Sequence, residues 1–196
     1  MPSPRCRKIV VPAVLLAAVV AAGCGSDASA PAARPVPDFS LVERSGRTIS
    51  LADLRGRVWI ANFIFTRCTG PCPRTTASMA RLASEIRSPD VRFVSVTVDP
   101  AHDTKEVLSA YAASYGADSE RWLFLTGTEE DIVALCRDGF RLGVAAAPPG
   151  EAAPGAEVAH STRFAVVDRD GTIRGYFDDE DEESMLRLRE TVAGLL

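Results

Sequence analysis

Two cysteines with three residues between them stand out in the stretch FTRCTGPCP, and a proline follows the second. Cys68 and Cys72 come directly after an apolar run and directly before a segment with the pattern of a helix. A helix N-terminus carries partial positive charge and free backbone N–H groups, which favour a thiolate. We therefore expect both cysteines to be reactive. The spacing fits a redox pair, a metal clamp or a structural disulfide, and does not choose among them.

A histidine elsewhere is a candidate for the same site. His160 ends a long Ala-, Pro- and Gly-rich loop and precedes a predicted strand that the fold should bring toward the cysteines. Two thiolates and one imidazole suit Cu(I), hold Cu(II) with an added ligand, and also hold Zn(II). Because these ligands are soft, copper is the preferred ion and zinc is its competitor. Asp99, before Pro100 at a predicted strand end, fits a turn acid. We expect His102, the other histidine, to be a solvated turn residue.

The N-terminal residues predict export. A basic start precedes an apolar run from Ile9 to Ala22, and small residues follow, as in a secretory signal peptide. The run is shorter than the roughly twenty residues that a membrane-spanning helix needs. Its end, AAGC, resembles the lipobox of bacterial lipoproteins. This predicts that residues 1–23 are removed and that Cys24 is acylated, which would leave the protein extracytoplasmic and anchored to a membrane. Ordinary cleavage nearby is the alternative.

Composition indicates one domain behind a tether. Residues 24–37 are small, polar and proline-rich, as in a flexible linker. Residues 38–196 are then long enough for one domain with its own core, given that 46% of the chain is hydrophobic. The formal net charge is −4, which does not favour binding to nucleic acid. Cys136 lies on an apolar helix face and is expected to be a core residue.

Strand-like and helix-like patterns alternate from Asp38 onward. The order predicts an α/β, thioredoxin-like fold: a mixed central β-sheet flanked by helices, with an N-terminal hairpin and an inserted loop over residues 143–160. Strands are predicted over residues 39–42, 48–51, 57–65, 91–98, 122–126, 164–167 and 172–177. Helices are predicted over residues 73–87, 104–115, 128–137 and 184–196.

Three separate features resemble one known family. The segments FTRCTGPCP, FVSVTVDPAHDTKEVLSAYAASYGAD and HSTRFAVVDRDGTIRGYF occur in the order and spacing of Sco/SenC copper-binding proteins. The resemblance runs from about residue 38 to the C-terminus. It departs from the family in the Thr69-Gly70-Pro71 insert and in the low-complexity approach to His160.

The resemblance implies a ligand set and a partner. It implies that Cys68, Cys72 and His160 hold one copper ion, as Cu(I) or Cu(II), and that Asp99 lies near the metal and supports its transfer. The implied function is an extracytoplasmic copper chaperone in the assembly of cytochrome c oxidase, whose copper-site subunit, or another copper acceptor, is the partner.

Other functions use the same residues. A thiol–disulfide oxidoreductase would use Cys68 and Cys72 as a redox pair to reduce an apo copper acceptor, and a copper-sensing or redox-sensing protein would need no other site. A peroxidase is less well supported, because the proline expected several residues before Cys68 is missing. The acidic run from Asp178 to Glu183 is expected to be a solvated helix start.

Overall fold

An eight-stranded mixed sheet forms the centre of the computed structural model, which describes residues 33–142 and 162–196. The strands are β1 (Arg34–Pro35), β2 (Ser40–Glu43), β3 (Thr48–Ser50), β4 (Val58–Ile64), β5 (Val91–Thr97), β6 (Trp122–Thr126), β7 (Arg163–Val167) and β8 (Thr172–Asp178). The helices are α1 (Leu51–Leu54), α2 (Cys72–Glu85), α3 (Lys105–Ser114), α4 (Glu129–Ala134) and α5 (Glu182–Leu195).

Three parallel strands lie in the middle of the sheet. The strand order is β1-β8-β7-β4-β5-β6-β2-β3, in which β4, β5 and β6 are parallel and the remaining pairs are antiparallel. Every residue of β4 is buried, as its continuous apolar run predicts for a strand covered on both faces. Parallel strands put their carboxyl ends at one edge, so the loops after β4 and β5 lie side by side.

Helices cover both faces of the sheet. Alternate residues of β4 point to opposite sides, so that Ile60 packs with α2, α3 and α5 while Phe63 packs toward α4. Phe140 closes the second face, in edge-to-face contact with Phe63 at a centroid distance of 5.0 Å. Cys136 is fully buried in that core, as predicted, and burial raises its pKa to about 12.

Both predicted hairpins are present. Gly46 (φ 89°) turns the chain between β2 and β3, and Gly171 (φ 83°) turns it between β7 and β8. These positive φ values favour glycine, which is why Ser-Gly and Asp-Gly pairs predict the turns. Thr128 caps α4 by accepting a hydrogen bond from the Asp131 N–H at 3.1 Å.

Three elements were not predicted. β1 lies within the stretch assigned to the linker, and it pairs with β8 while the adjacent Val36 is buried. α1 follows β3 without a break, and its first turn is held by a capping box from Ser50 and Asp53. A π-helical turn, Leu135–Gly139, continues α4. β1 in particular depends on a distant strand that local pattern does not report.

Several predictions concern residues outside the described ranges. They include the signal peptide of residues 1–23, the acylated Cys24 and the inserted loop that ends at His160. Among the residues that the structure does describe, no helix combines the length and apolar character needed to cross a membrane.

Candidate metal centre

The cysteines and the candidate aspartate lie at one edge of the sheet. The loop that carries Cys68 leaves the end of β4 and enters α2, which begins at Cys72. The segment that begins at Asp99 leaves the end of the neighbouring strand β5. Because β4 and β5 are parallel and in register from Val58 to Ile64, both loops emerge together.

Cys68 and Cys72 are free thiols in contact with each other. Both are buried, with 7% and 2% of their surface exposed, and their side chains share a hydrogen bond. Pro71 precedes the first helical residue and Pro73 follows it, a position where the N–H that proline lacks has no helical partner. The chain thus brings two thiols together at a helix start without joining them as a disulfide.

The backbone of Phe65 contacts both cysteines. Its carbonyl accepts a hydrogen bond from the Cys68 N–H at 3.3 Å. Its own N–H donates to the sulfur of Cys72. Phe65, which directly follows β4, therefore fixes one cysteine through the main chain and the other through its sulfur.

The expected thiolate at Cys72 is wrong for the metal-free protein. The pKa of Cys72 is raised to about 12, chiefly by burial and also by the hydrogen bond to Cys68 and the nearby charge of Asp103, against the opposing effect of the Phe65 N–H. The helix N-terminus does not offset the loss of water around the sulfur. Cys72 is therefore a protonated thiol at neutral pH.

Asp99 forms an ion pair with the arginine beside Cys68. The Arg67 guanidinium donates to one Asp99 oxygen through Nη2 at 2.6 Å and through Nε at 3.1 Å. The Asp99 carboxylate is largely buried, with 11% of its side chain exposed, whereas Arg67 is half exposed. Asp99 thus ties the loop after β5 to the cysteine loop.

Asp103 makes a second connection that the sequence did not single out. Its side chain is fully buried and accepts hydrogen bonds from the Thr66 N–H at 3.1 Å, the Thr66 hydroxyl at 2.5 Å and the Thr97 hydroxyl at 2.5 Å. His102 lies 3.0 Å from the same carboxylate through Nδ1. The signal was the repeated acid in VDPAHDT directly after a buried strand. The partners of Asp103 lie just after β4 and at the end of β5, which local pattern does not connect.

His102 is a partly exposed turn residue whose ring also contacts buried polar groups. Its side chain is 41% exposed, yet Nδ1 faces both Asp103 and the Thr66 hydroxyl, the latter at 3.4 Å. Asp99, His102 and Asp103 offer ligand-type atoms within 4.8 Å of one another. The ion pair with Arg67 and the hydrogen bonds just described account for this cluster without a metal.

The acidic run is only partly solvated. Asp181 caps α5, as a helix start predicts, by accepting from the Glu183 N–H at 3.1 Å. Asp179, however, has a buried side chain that accepts from the Thr75 hydroxyl at 2.9 Å, and burial raises its pKa. The acidic run packs against the first turns of α2, and this contact excludes water from the Asp179 carboxylate.

The third predicted ligand, His160, lies outside the described residues, as does Cys24. The described chain resumes at the sheet edge from which the cysteine loop leaves: β7 is antiparallel to β4, with Ala165 opposite Ala61, so Arg163 starts β7 near the end of β4. Two adjacent thiols are soft donors that suit copper, and they also suit zinc. The donor chemistry of the described part therefore fits a thiophilic metal ion.

Solved structures share this fold. A SCO1/SenC family lipoprotein from Bacillus anthracis str. Ames is 32% identical with a TM-score of 0.70, and the match covers 82% of this chain and 95% of that one. BsSco, a member of the Sco family of cytochrome c oxidase assembly proteins with a disulfide switch, is 31% identical with a TM-score of 0.70 over 85% and 96%. Yeast Sco1 with copper bound, at 23% identity, has a TM-score of 0.65 over 83% and 91%. The predicted thioredoxin-like Sco fold is confirmed.

Sequence comparison gives the same result. The SCO1 protein homolog of Bacillus subtilis (strain 168) is 35% identical over 141 residues, which are 70% of this chain and 70% of the relative. The SCO1/SenC family model matches residues 27–193. The chain belongs to the SCO1/SenC family.

Proposed function

We propose that this protein is an extracytoplasmic copper chaperone that binds one copper ion through Cys68, Cys72 and His160. The observation that carries the proposal is the pair of free, buried, mutually hydrogen-bonded thiols at the start of α2. Copper bound to yeast Sco1 supports the choice of metal. Two thiols in contact can converge on one Cu(I) with little rearrangement, and zinc is the competing ion.

The acceptor follows from the family. BsSco belongs to the cytochrome c oxidase assembly proteins, so the copper-site subunit of that oxidase is the proposed partner. A related SCO1/SenC protein is a lipoprotein. This supports removal of residues 1–23 and attachment to a membrane through Cys24, which would hold the domain beside a membrane-bound acceptor.

Asp99 is proposed to act in transfer and not as a ligand. Its carboxylate is already paired with Arg67, next to Cys68. Loss of that pair would free the cysteine loop to open toward an acceptor. We expect Asp99→Asn to change the rate at which Cu(I) leaves for a chelator more than it changes the equilibrium affinity. Equal rates in the variant and the parent would remove Asp99 from the proposal.

A thiol–disulfide oxidoreductase is the second candidate, and the same contact between thiols supports it. A disulfide switch has been identified in the related protein BsSco. The raised pKa of Cys72 does not choose between the two functions, because the thiolate is both the attacking form in disulfide exchange and the form that binds a metal.

Replacing the histidines one at a time separates the two candidates. The chain has two histidines, so His160→Ala has a matched control in His102→Gln. A chaperone should lose most of its Cu(I) retention against a chelator in His160→Ala and keep it in His102→Gln. A reductase should keep dithiol exchange in both variants. If His160→Ala held Cu(I) as tightly as the parent, the three-ligand site would be wrong.

A further inference from the structure

The peptide unit between Phe65 and Thr66 lies between the cysteines and Asp103. The carbonyl of this unit accepts from the Cys68 N–H, and its N–H, which belongs to Thr66, donates to Asp103. The two groups point in opposite directions, so rotation of the peptide plane would break both hydrogen bonds together. The preceding amide, the Phe65 N–H, donates to the Cys72 sulfur.

Asp103 is anchored independently of the cysteine loop. One carboxylate oxygen also accepts from Thr97 at the end of β5, and the other lies 3.0 Å from His102. The Asp103 N–H donates to the Asp99 carbonyl at 2.9 Å. The carboxylate is therefore a rigid, buried point against which the cysteine loop is held, through both the amide and the hydroxyl of Thr66.

We propose that Asp103 is a positioning residue for the cysteine pair: it fixes the Phe65–Thr66 peptide, which in turn fixes the backbone of Cys68 and keeps an N–H directed at the sulfur of Cys72. The proposal rests on the copper-binding function proposed above. An N–H directed at a sulfur stabilises the thiolate that binds the metal, and outer partners of this kind typically change metal affinity by about ten- to a hundredfold.

The variants Asp103→Asn and Asp103→Ala separate the effect of positioning the peptide from the effect of the negative charge. In Asp103→Asn the amide oxygen can take over the bonds from the Thr66 N–H and Thr97. The NH₂ group can donate to the Thr66 hydroxyl and to Nδ1 of His102, both of which can accept. Asp103→Asn therefore keeps the peptide in place without the negative charge, and Asp103→Ala releases it.

The experiment measures Cu(I) affinity of the reduced full-length chain by competition with a chelator. We expect Asp103→Ala to lose about tenfold or more and Asp103→Asn to stay within roughly threefold of the parent. Ser95→Ala is the control for lost stability: Ser95 is buried on β5 and bonds Asn62 and Trp122, away from the cysteine loop. A loss in Ser95→Ala equal to that in Asp103→Ala would overturn the proposal, and so would a gain in both Asp103 variants, which would indicate an effect of charge alone.

A second arm does not depend on copper. Amide hydrogen exchange of Cys68 in the apo chain should be roughly tenfold faster in Asp103→Ala than in Ser95→Ala at equal global stability, because the carbonyl that accepts this amide is no longer held. Unchanged exchange would contradict positioning whatever the metal result. If Asp103→Ala does not fold, Thr66→Val removes only the hydroxyl anchor, and a smaller change in the same direction is required. Failure of the parent to hold Cu(I) would refute the proposed function and leave the exchange result to decide this inference.

Discussion

Copper loading should release the proton of Cys72 across the whole neutral pH range. The pKa of this thiol is raised to about 12, chiefly by burial, so the apo protein carries it protonated. A metal ion binds the thiolate, and the proton must leave when copper arrives. The apparent affinity for Cu(I) must then increase with pH.

The size of the effect follows from the proton count. Each proton released raises the apparent association constant tenfold per pH unit, or about 1.4 kcal/mol. Cys72 alone should therefore contribute about a hundredfold between pH 6.5 and pH 8.5. For a thiol with an ordinary pKa of 9.0, the apparent Cu(I) affinity would level off near pH 9. For Cys72 the affinity should continue to rise above that pH.

The assay is competition for Cu(I) with a chelator calibrated at each pH, together with proton release recorded by an indicator dye in weak buffer. Cys72→Ser is the control and should lose both affinity and the slope that Cys72 contributes. An affinity that stays constant from pH 6.5 to pH 8.5 would refute the reasoning. It would mean that Cys72 is already a thiolate or does not bind the metal.

Three further predictions concern stability. The free energy of unfolding should fall as pH rises from about 9 toward 12, by up to about 1.4 kcal/mol per pH unit for each of Cys72 and Cys136, because their folded-state pKa values are raised to about 12 and the unfolded chain loses these protons first. Urea denaturation at several pH values measures it, and a flat profile would contradict it. Gly127→Ala should cost about 1–3 kcal/mol, since its Cβ would lie 2.7 Å from Leu41 Cδ2 in the core. Gly194→Ala, in open space on α5, should instead stabilise by about 0.5–1 kcal/mol, and equal midpoints for the two variants would be the wrong result.

The sequence predicted elements whose cause is local. The run RVWIANFIF indicates a strand buried on both faces, and β4 is buried throughout. The turns at Gly46 and Gly171 follow from the φ values that only glycine adopts readily. β1 was missed because Arg34–Pro35 is a short, proline-containing segment whose partner, β8, is distant in sequence.

The site was only partly predictable for the same reason. Placing Cys72 at a helix start was a local argument, and the structure bears it out. Its pKa is a tertiary property, since burial by the surrounding core outweighs the helix terminus. Asp103 was missed because its importance comes from Thr66 and Thr97, which only the pairing of β4 with β5 brings together.

The central claim is that two cysteines and a histidine of this chain carry one copper ion. The most direct measurement is metal content: the reduced full-length chain and its Cys68→Ser/Cys72→Ser variant are loaded with Cu(I) in competition with a chelator, and copper and zinc are counted per chain. The account predicts one tightly held copper in the parent and none in the variant. Equal copper in both, or no retained copper in a parent whose cysteines cycle readily between dithiol and disulfide, would contradict it.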